Sequence, residues 1–209
     1  MPLKVELLAI TPEADRIIET AGRTAYQSAE KVTPGSAGRF IAMIIKRGHE
    51  SVLEHAWATL RISGVSRALT HQLVRHRLAS FTQKSQRYVS EDEFPFVTPE
   101  SVAASPEAAG LYAEFMDRAR RTYGELRRLG VRNEDARFVL PNAVETEIVV
   151  TANFREWRHI IGLRGHPASQ WEIRRLAINI LELLKSQAPA AFADMELDAS
   201  GRAVVRKVD

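Results

Sequence analysis

The sequence contains no cysteine. This absence excludes disulfide bonds, metal sites built on thiolates and catalysis by a cysteine nucleophile. Any function of this chain must therefore rely on other side chains.

Long apolar runs are also missing. The chain has no stretch of about 18 or more consecutive apolar residues, the length that a transmembrane helix requires. At the N-terminus, Leu3 and Val5 alternate with Lys4 and Glu6, unlike the basic and then apolar order of an export signal. The sequence therefore predicts a cytoplasmic protein with no membrane span and no membrane partner.

Acidic residues are absent between Glu54 and Glu91, although the whole chain has a net charge of only +3. The basic side chains in this stretch include Arg61, Arg67, Arg75, Arg77, Lys84 and Arg87, with His71 and His76. Because these charges have no acidic partners nearby in sequence, we expect them to meet a phosphate group or acids from elsewhere in the fold.

Hydrophobic periodicity predicts a mixed α+β fold with dominant helices and a small central sheet. The length and ordinary globular composition favour a single domain over residues 1–209. Strands are predicted at 3–10, 57–62 and 146–151, and helices at 12–26, 40–48, 66–75, 106–130, 133–140, 153–163 and 170–187. Residues 78–83 are predicted to be irregular, and Asn133 is predicted to cap its helix.

The segment from Arg75 to Tyr88, RHRLASFTQKSQRY, concentrates cations, hydroxyls and amides. We expect it at a helix end and in the following loop, with Gln72, Arg75 and His76 on one helix face because of their spacing. Guanidinium groups bind phosphates through paired hydrogen bonds, and Ser and Gln can fix a sugar or a base edge. The segment therefore favours a nucleotide ligand, and a solvated basic face is the alternative.

This segment resembles the signature of flavin-dependent thymidylate synthases, an Arg-His-Arg triplet and a Ser, followed by Ser-x-Arg-Tyr. Further blocks that are similar to the family pattern are GHESVLEH at 48–55, ARFVLP at 136–141, NFR at 153–155 and LR at 163–164. These blocks follow family order from about residue 20 to residue 195. The resemblance implies the family's fold and its reaction, the reductive methylation of dUMP to dTMP. In that reaction 5,10-methylenetetrahydrofolate donates the carbon, and NADPH reduces bound FAD.

The resemblance also assigns ligand contacts. It implies an FAD site made of His49, Ser51, Glu54, Arg75, His76, Arg77, Gln83, Asn153, Phe154, Arg155 and His159. It implies a dUMP site made of Gln72, Leu73, Val74, Arg75, Gln83, Lys84, Ser85, Gln86, Arg87, Arg137 and Arg164, of which Arg164 is expected to be catalytic. Two places differ from the family pattern, namely His159, where many relatives have Asn, and ASQWEI at 168–173 in place of HAQxEI.

The implied reaction is compatible with the lack of cysteine. Methylation at C5 of uracil needs electron density there, and an enzyme can create it by adding a thiolate to C6. Without a thiolate, cations must draw charge onto the O4 and N3 edge, and Arg164 and Arg87 are the candidates. The methylene carbon also needs a hydride, which a flavin can transfer.

The sequence contains no GxGxxG fingerprint, so arginines rather than a Rossmann helix must hold the FAD phosphates. The resemblance implies a homotetramer in which several subunits build each active site. A chain of 209 residues that binds three large ligands would otherwise be short of cleft surface.

Residue types alone leave alternatives open. His49, Glu54 and His55 could ligate a metal or act as helix caps, although we predict no metal site. Arg137, Arg155 and Arg164 lie in otherwise apolar segments, so each must be paired or lie at a cleft. Ser85 could be a nucleophile, but no adjacent base is evident, so we favour a binding role.

Nucleic-acid binding is the competing function for the basic stretch. A platform for single strands would need several exposed rings, and between His55 and Ser90 the aromatic residues are Trp57, Phe81 and Tyr88. The scarcity of rings favours a small nucleotide over a nucleic acid as the partner.

Overall fold

The computed structural model describes residues 2–197 and, for the backbone alone, residues 203–205. The helices are Ala14–Ala25 (α1), Ser36–Lys46 (α2), Arg67–Leu73 (α3), Glu100–Ala103 (α4), Pro106–Arg128 (α5), Asn133–Ala136 (α6), Phe154–Arg164 (α7) and Trp171–Gln187 (α8). The strands are Lys4–Ile10 (β1), Trp57–Ser66 (β2), Ser80–Gln83 (β3), Glu145–Asn153 (β4), Met195–Leu197 (β5) and Ala203–Val205 (β6). Three short 3₁₀ helices cover Ala29–Lys31, Glu50–His55 and Arg137–Val139. The predicted α+β class is confirmed.

A four-stranded sheet has the order β1-β2-β4-β3. Side chains on β2 alternate between buried and more accessible positions, with Ala58, Leu60 and Ile62 fully buried. This alternation is expected when one face of a strand packs against a core. A separate antiparallel pair joins β5 to β6, with Met195 opposite Val205.

The described chain separates into two compact units. The first unit comprises residues 2–4, 62–72 and 82–148, and the second comprises residues 5–61, 73–81 and the chain from 149 onward. Strands β2 and β4 contribute residues to both units. The single domain over residues 1–209 stays a prediction.

In the first unit, a small apolar cluster fixes the long helix α5. Its buried members are Phe94, Met116, Ala119 and Val144. The helix begins as its sequence predicts, because Pro106 occupies the first turn and Ser105 Oγ accepts a hydrogen bond from Ala108 N at 3.3 Å.

In the second unit, α1 packs on α2, and α7 packs on α8. Asp15, near the start of α1, fixes a distant part of the chain: its two carboxylate oxygens accept hydrogen bonds from Ala190 N at 2.9 Å and Ala191 N at 3.0 Å. Burial raises the pKa of Asp15, while these two backbone N–H groups lower it. The first helix is thereby tied to the segment after α8.

Helices α1 and α2 approach each other at Gly22. A Cβ atom at this position would lie 2.5 Å from Phe40 Cε1, closer than real carbon contacts allow. The Phe40 ring is buried and has the Arg23 guanidinium 4.7 Å from its centroid, so it has little room to move. Only glycine fits this crossing without displacing the ring.

We expect Gly22→Ala to destabilise the protein although alanine favours helix by about 1 kcal/mol over glycine. Overpacking a core typically costs about 1 to 3 kcal/mol, which outweighs that gain. Thermal unfolding should shift down by a few degrees, on the order of 2–4 °C per kcal/mol for a chain of this size. Gly124→Ala in α5 is the control, because a Cβ there meets nothing within 4 Å. An unchanged or higher melting temperature for Gly22→Ala would contradict the packing argument.

Several local predictions are wrong. The strand predicted at 57–62 continues as β2 to Ser66, through Gly64, whose φ of 68° glycine accommodates. The predicted helix start at Ser66 is confirmed, because α3 begins at Arg67 and Ser66 Oγ accepts from Leu69 N at 3.0 Å. Residues 80–83, predicted to be irregular, form β3, and Lys84 N donates to Glu147 O at 3.0 Å just beyond it.

The predicted helix ends near residues 75 and 133 also need correction. Helix α3 ends at Leu73, so Arg75 and His76 lie in the following turn and share no helix face with Gln72. The N-cap of α6 is Arg132 rather than Asn133. The Asn133 side chain instead accepts a hydrogen bond from Tyr123 OH at 3.4 Å.

Candidate functional site

A cavity of about 1200 Å³ lies in the second unit. Three segments line it: the 3₁₀ helix at 50–55, the turn after α3 and one side of α7. Eight of the predicted ligand residues lie in its wall, namely Glu54, Arg75, His76, Arg77, Asn153, Arg155, His159 and Arg164. The fold thus brings together residues that are more than 100 positions apart in sequence, such as Glu54 and Arg155.

The N-terminus of α7 lies in the cavity wall. Asn153 caps the helix, because its Oδ1 accepts a hydrogen bond from Glu156 N at 2.8 Å. Phe154 N donates to Ala56 O at 2.8 Å, and Trp157 Nε1 donates to Ala58 O at 3.1 Å, so the first turn is attached to β2. A fixed helix N-terminus with flanking arginines provides a favourable electrostatic setting for an anionic group.

An ion pair stands at the edge of the cavity. Arg155 NH1 and Glu54 Oε1 are 2.6 Å apart, and both side chains are about half exposed, at 52% and 45%. Water screens such exposed pairs, which contribute little to stability. A ligand phosphate can therefore compete for Arg155.

His76 and Arg164 form the best-defined polar contact in the cavity. Arg164 Nε donates to His76 Nε2 at 2.9 Å, although the two residues are 88 positions apart in sequence. His76 is buried, and burial, followed by the charges of Arg164 and His159, lowers its pKa to about 4. His76 is therefore neutral at neutral pH.

Glu156 lies on the other side of the His76 ring. Its Oε1 is 3.6 Å from His76 Nδ1, and both side chains are almost fully buried. The pair carries two charges only if His76 is protonated, and the low His76 pKa together with the bond from Arg164 excludes that at neutral pH. The contact is therefore between a carboxyl group and a neutral imidazole. Burial raises the pKa of Glu156, and His159 opposes this shift.

Arg164 keeps its charge in this partly buried place. Burial and the nearby Arg75 lower the pKa of the guanidinium, but arginine does not deprotonate in proteins. Since desolvation strengthens electrostatic interactions, a cation here favours a ligand that carries or develops negative charge.

His49 and Ser51 lie outside the cavity wall and are exposed. The interpretation of His49 as a helix cap is wrong: it occupies the N-cap position of the 3₁₀ helix but makes no capping hydrogen bond. Its Nδ1 lies 3.1 Å from Tyr26 OH instead. Within residues 2–197, no three His, Asp or Glu side chains are grouped to hold a metal ion.

Two apolar residues among the predicted ligand residues have fully buried side chains. The Phe154 ring is fully buried, 5.1 Å from the Phe192 ring centroid, and Leu73 is also fully buried. A ligand contact at either residue would have to use the main chain. The neighbouring Val74 is 39% exposed.

The remaining predicted dUMP residues lie in the first unit, where basic side chains meet acids. Arg87 Nε is 2.7 Å from Glu134 Oε2, and Arg137 Nε donates to Glu134 O at 3.1 Å. Lys84 Nζ is 2.9 Å from the buried Glu91. The expectation that the basic stretch meets acids from elsewhere in the fold is confirmed for these two cations of the stretch, Lys84 and Arg87.

The polar residues of the same segment are held by local contacts. Gln83 Nε2 donates to Thr70 Oγ1 at 2.9 Å, and Gln72 Nε2 donates to Ala68 O at 3.4 Å. Ser85 Oγ accepts from Arg87 N at 3.2 Å, and Gln86 is buried. The amides and the hydroxyl are thus held locally, while Arg75, Arg77 and Arg87 of the segment are exposed.

The sequence was compared with known families and proteins. Residues 6–190 match the family described as thymidylate synthase complementing protein. A flavin-dependent thymidylate synthase of Geobacter sulfurreducens is 46% identical over 200 residues, covering 92% of this chain and 86% of that protein. Proteins of the same name from Mycobacterium avium and Corynebacterium efficiens are 43% and 41% identical, covering 94% and 88% of this chain and 91% and 81% of their own lengths.

The chain belongs to the thymidylate synthase complementing protein family. The family match includes the cavity residues from Glu54 to Arg164 and the basic turn of the first unit. No helix among the residues described is long and apolar enough to cross a membrane.

Six residues that line the cavity were not predicted as site residues, and three of them are charged: Glu50, Glu156 and Arg158. Glu156 had one usable signal, since it follows the capping Asn153 by three residues, where a helix often carries an acid. Arg158 had none, because its partner Asp194 is 36 residues away.

Proposed function

We propose that this chain is a flavin-dependent thymidylate synthase that methylates dUMP to dTMP in a reductive reaction. 5,10-Methylenetetrahydrofolate donates the carbon, FAD is the bound cofactor, and NADPH reduces it. The observation that carries the proposal is the cavity of the second unit, where eight residues predicted from the family pattern surround one space.

The cavity suits FAD in size and in chemistry. Its volume of about 1200 Å³ lies just above the range typical of small-molecule sites, as a dinucleotide requires. Arg75, Arg77 and Arg155 are exposed donors for the pyrophosphate, and the N-terminus of α7 adds favourable dipoles. Glu50 and Glu54 supply acceptors for hydroxyl groups.

The chain's own groups perform the electrostatic part of the reaction. Arg164 stabilises the negative charge that develops on the N3 and O4 edge of uracil, and His76 fixes the direction of its guanidinium. When bound, FAD supplies the capacity to transfer a hydride. Ser85 is assigned to dUMP binding, because its Oγ already accepts a hydrogen bond within the turn.

Substrate binding is assigned partly to the first unit. Lys84, Arg87 and Arg137 are basic groups for the phosphate and base of dUMP, and Glu91 and Glu134 hold them in place. We also propose a cytoplasmic homotetramer with shared active sites, because a chain of 209 residues that binds three large ligands would otherwise be short of cleft surface.

Purified protein should be yellow, with absorption near about 450 nm from bound flavin. It should form dTMP only when dUMP, methylenetetrahydrofolate and NADPH are all present, and it should sediment as a tetramer. A colourless protein that does not take up added FAD, or one that carries nucleic acid through purification, would overturn the proposal. A reaction without NADPH, started with protein whose flavin has been reduced chemically, tests whether NADPH is needed only for flavin reduction.

A further inference from the structure

The hydrogen bond between Arg164 and His76 determines where the imidazole proton lies. A guanidinium has only donors, so His76 Nε2 must be the acceptor in the 2.9 Å contact with Arg164 Nε. A neutral imidazole that accepts at Nε2 carries its proton on Nδ1. If the proton moved to Nε2, two donors would face each other and Arg164 would lose this hydrogen bond to His76.

Glu156 occupies the side of the ring where this proton must be. Its Oε1 is 3.6 Å from Nδ1, beyond hydrogen-bond length, so it acts there through the attraction between the N–H dipole and the carboxyl oxygen. Either protonation state of the carboxyl group retains an accepting oxygen. Since Glu156 and His76 are each 5% exposed, little water competes with this attraction.

The position of Glu156 is fixed by the start of α7. Its backbone N–H donates to Asn153 Oδ1, and the next residue, Trp157, is buried and bonded to Ala58 O. His159, the other titratable group beside His76, meets it edge to face at 5.5 Å between ring centroids. Glu156 is therefore the carboxyl group placed to set the His76 tautomer.

We infer that Glu156 is a positioning residue that holds the proton on His76 Nδ1, so that Nε2 stays available to orient Arg164 toward the substrate's uracil ring. The inference rests on the proposed function. Glu156 acts only through His76, so its removal should slow methyl transfer more than it weakens dUMP binding.

Two near-isosteric variants separate this role from packing. Glu156→Gln keeps an accepting oxygen and should retain a dTMP formation rate within about threefold of the wild type, because the tautomer is preserved. Glu156→Leu fills the space but offers no oxygen to the His76 Nδ1 proton. It should lower the rate about tenfold or more, the scale expected when the charged Arg164 loses its hydrogen bond to His76. In the Leu variant, FAD reduction by NADPH should fall less than dTMP formation does. If the Gln variant is as slow as the Leu variant, or if the Leu variant is not slowed, the inference is wrong.

The effect of Glu156→Leu on the rate of dTMP formation should disappear when Arg164 is absent. In an Arg164→Ala background, Glu156→Leu should change the dTMP rate by no more than about twofold, because the two groups act as one unit. If Glu156→Leu lowers the dTMP rate in this background by the same factor as in the wild type, Glu156 acts through packing. Glu19→Leu is the matched control, since Glu19 is equally buried in the second unit but pairs with Arg23 and Ser36. Its dTMP rate, normalised to folded protein, should not fall.

The tautomer of His76 can also be measured directly, without an activity assay. Nitrogen NMR of isotope-labelled histidine, with the His76 signals identified by their loss in His76→Gln, should show a protonated Nδ1 and an unprotonated Nε2. A proton on Nε2 of the wild-type protein would overturn the inference even if the Leu variant fails to fold. If the wild type makes no dTMP but shows the expected tautomer, the proposed function fails and the assignment of the proton remains.

Discussion

Arg164→Ala should lower the rate of dTMP formation by about 100-fold or more, while NADPH still reduces the bound flavin. The permanently charged guanidinium favours the anionic uracil ring over the neutral one, so its contribution grows toward the transition state. Its bond to His76 holds the charge in one direction. The affinity for dUMP should therefore suffer less than the rate.

Flavin reduction and dTMP formation should be followed separately in the same Arg164 variant. Arg164→Lys is the informative companion, because a point charge cannot reproduce the planar guanidinium and should restore the rate only in part. If both half-reactions fall together, Arg164 supports the flavin or the fold, and its assignment to substrate activation is wrong.

Asp194→Ala should destabilise the protein by about 3 to 5 kcal/mol. Arg158 donates to both Asp194 oxygens, at 2.6 and 2.7 Å, and both side chains are nearly inaccessible. Removing the carboxylate leaves a buried guanidinium that keeps its bond to Ala191 O but loses its counter-charge. Among the buried side chains described, Arg158 Nε already lacks a partner, which makes this site sensitive to further loss.

Urea unfolding at fixed protein and flavin concentrations measures the loss of stability caused by Asp194→Ala. Replacing both partners, Arg158→Met with Asp194→Leu, should recover much of the loss, because no uncompensated charge remains. Glu114→Ala is the control for a surface pair, since Arg118 and Glu114 are largely exposed, and it should change stability by less than about 1 kcal/mol. A loss for Asp194→Ala as small as that of the control would contradict the assignment of a buried ion pair.

Local signals predicted the helices well and the polar turns poorly. Asn153 and Gln170 mark the starts of α7 and α8 because their side chains accept backbone hydrogen bonds. Gly48, with φ 71°, directly follows Arg47, the C-cap of α2, and so marks the end of that helix as predicted. Strand β3 was not predicted, because its four residues are too few and too polar to show a hydrophobic period. Its pairing with β4 in the sheet determines its conformation.

In the candidate site as well, the sequence predicted residues but not the contacts between them. The family pattern predicts Arg164 and His76 as ligand residues, but no spacing in sequence shows that one donates to the other across 88 positions. The expected helix face of Gln72, Arg75 and His76 failed because α3 ends at Leu73, where the chain turns to bring His76 to α7. Long-range polar contacts of this kind depend on the completed fold.

The carboxylate of Asp15 has a consequence for how the protein is made. Its partners, Ala190 and Ala191, are 175 and 176 residues further along the chain. At synthesis rates of about 5–20 residues per second, the first helix must wait roughly 9 to 35 seconds on the ribosome before these N–H groups exist. During that time α1 depends on its contact with α2, and Gly22 is what allows the two helices to meet closely. The helical pair therefore lacks its hydrogen bonds to residues 190 and 191 until almost the whole chain has been made.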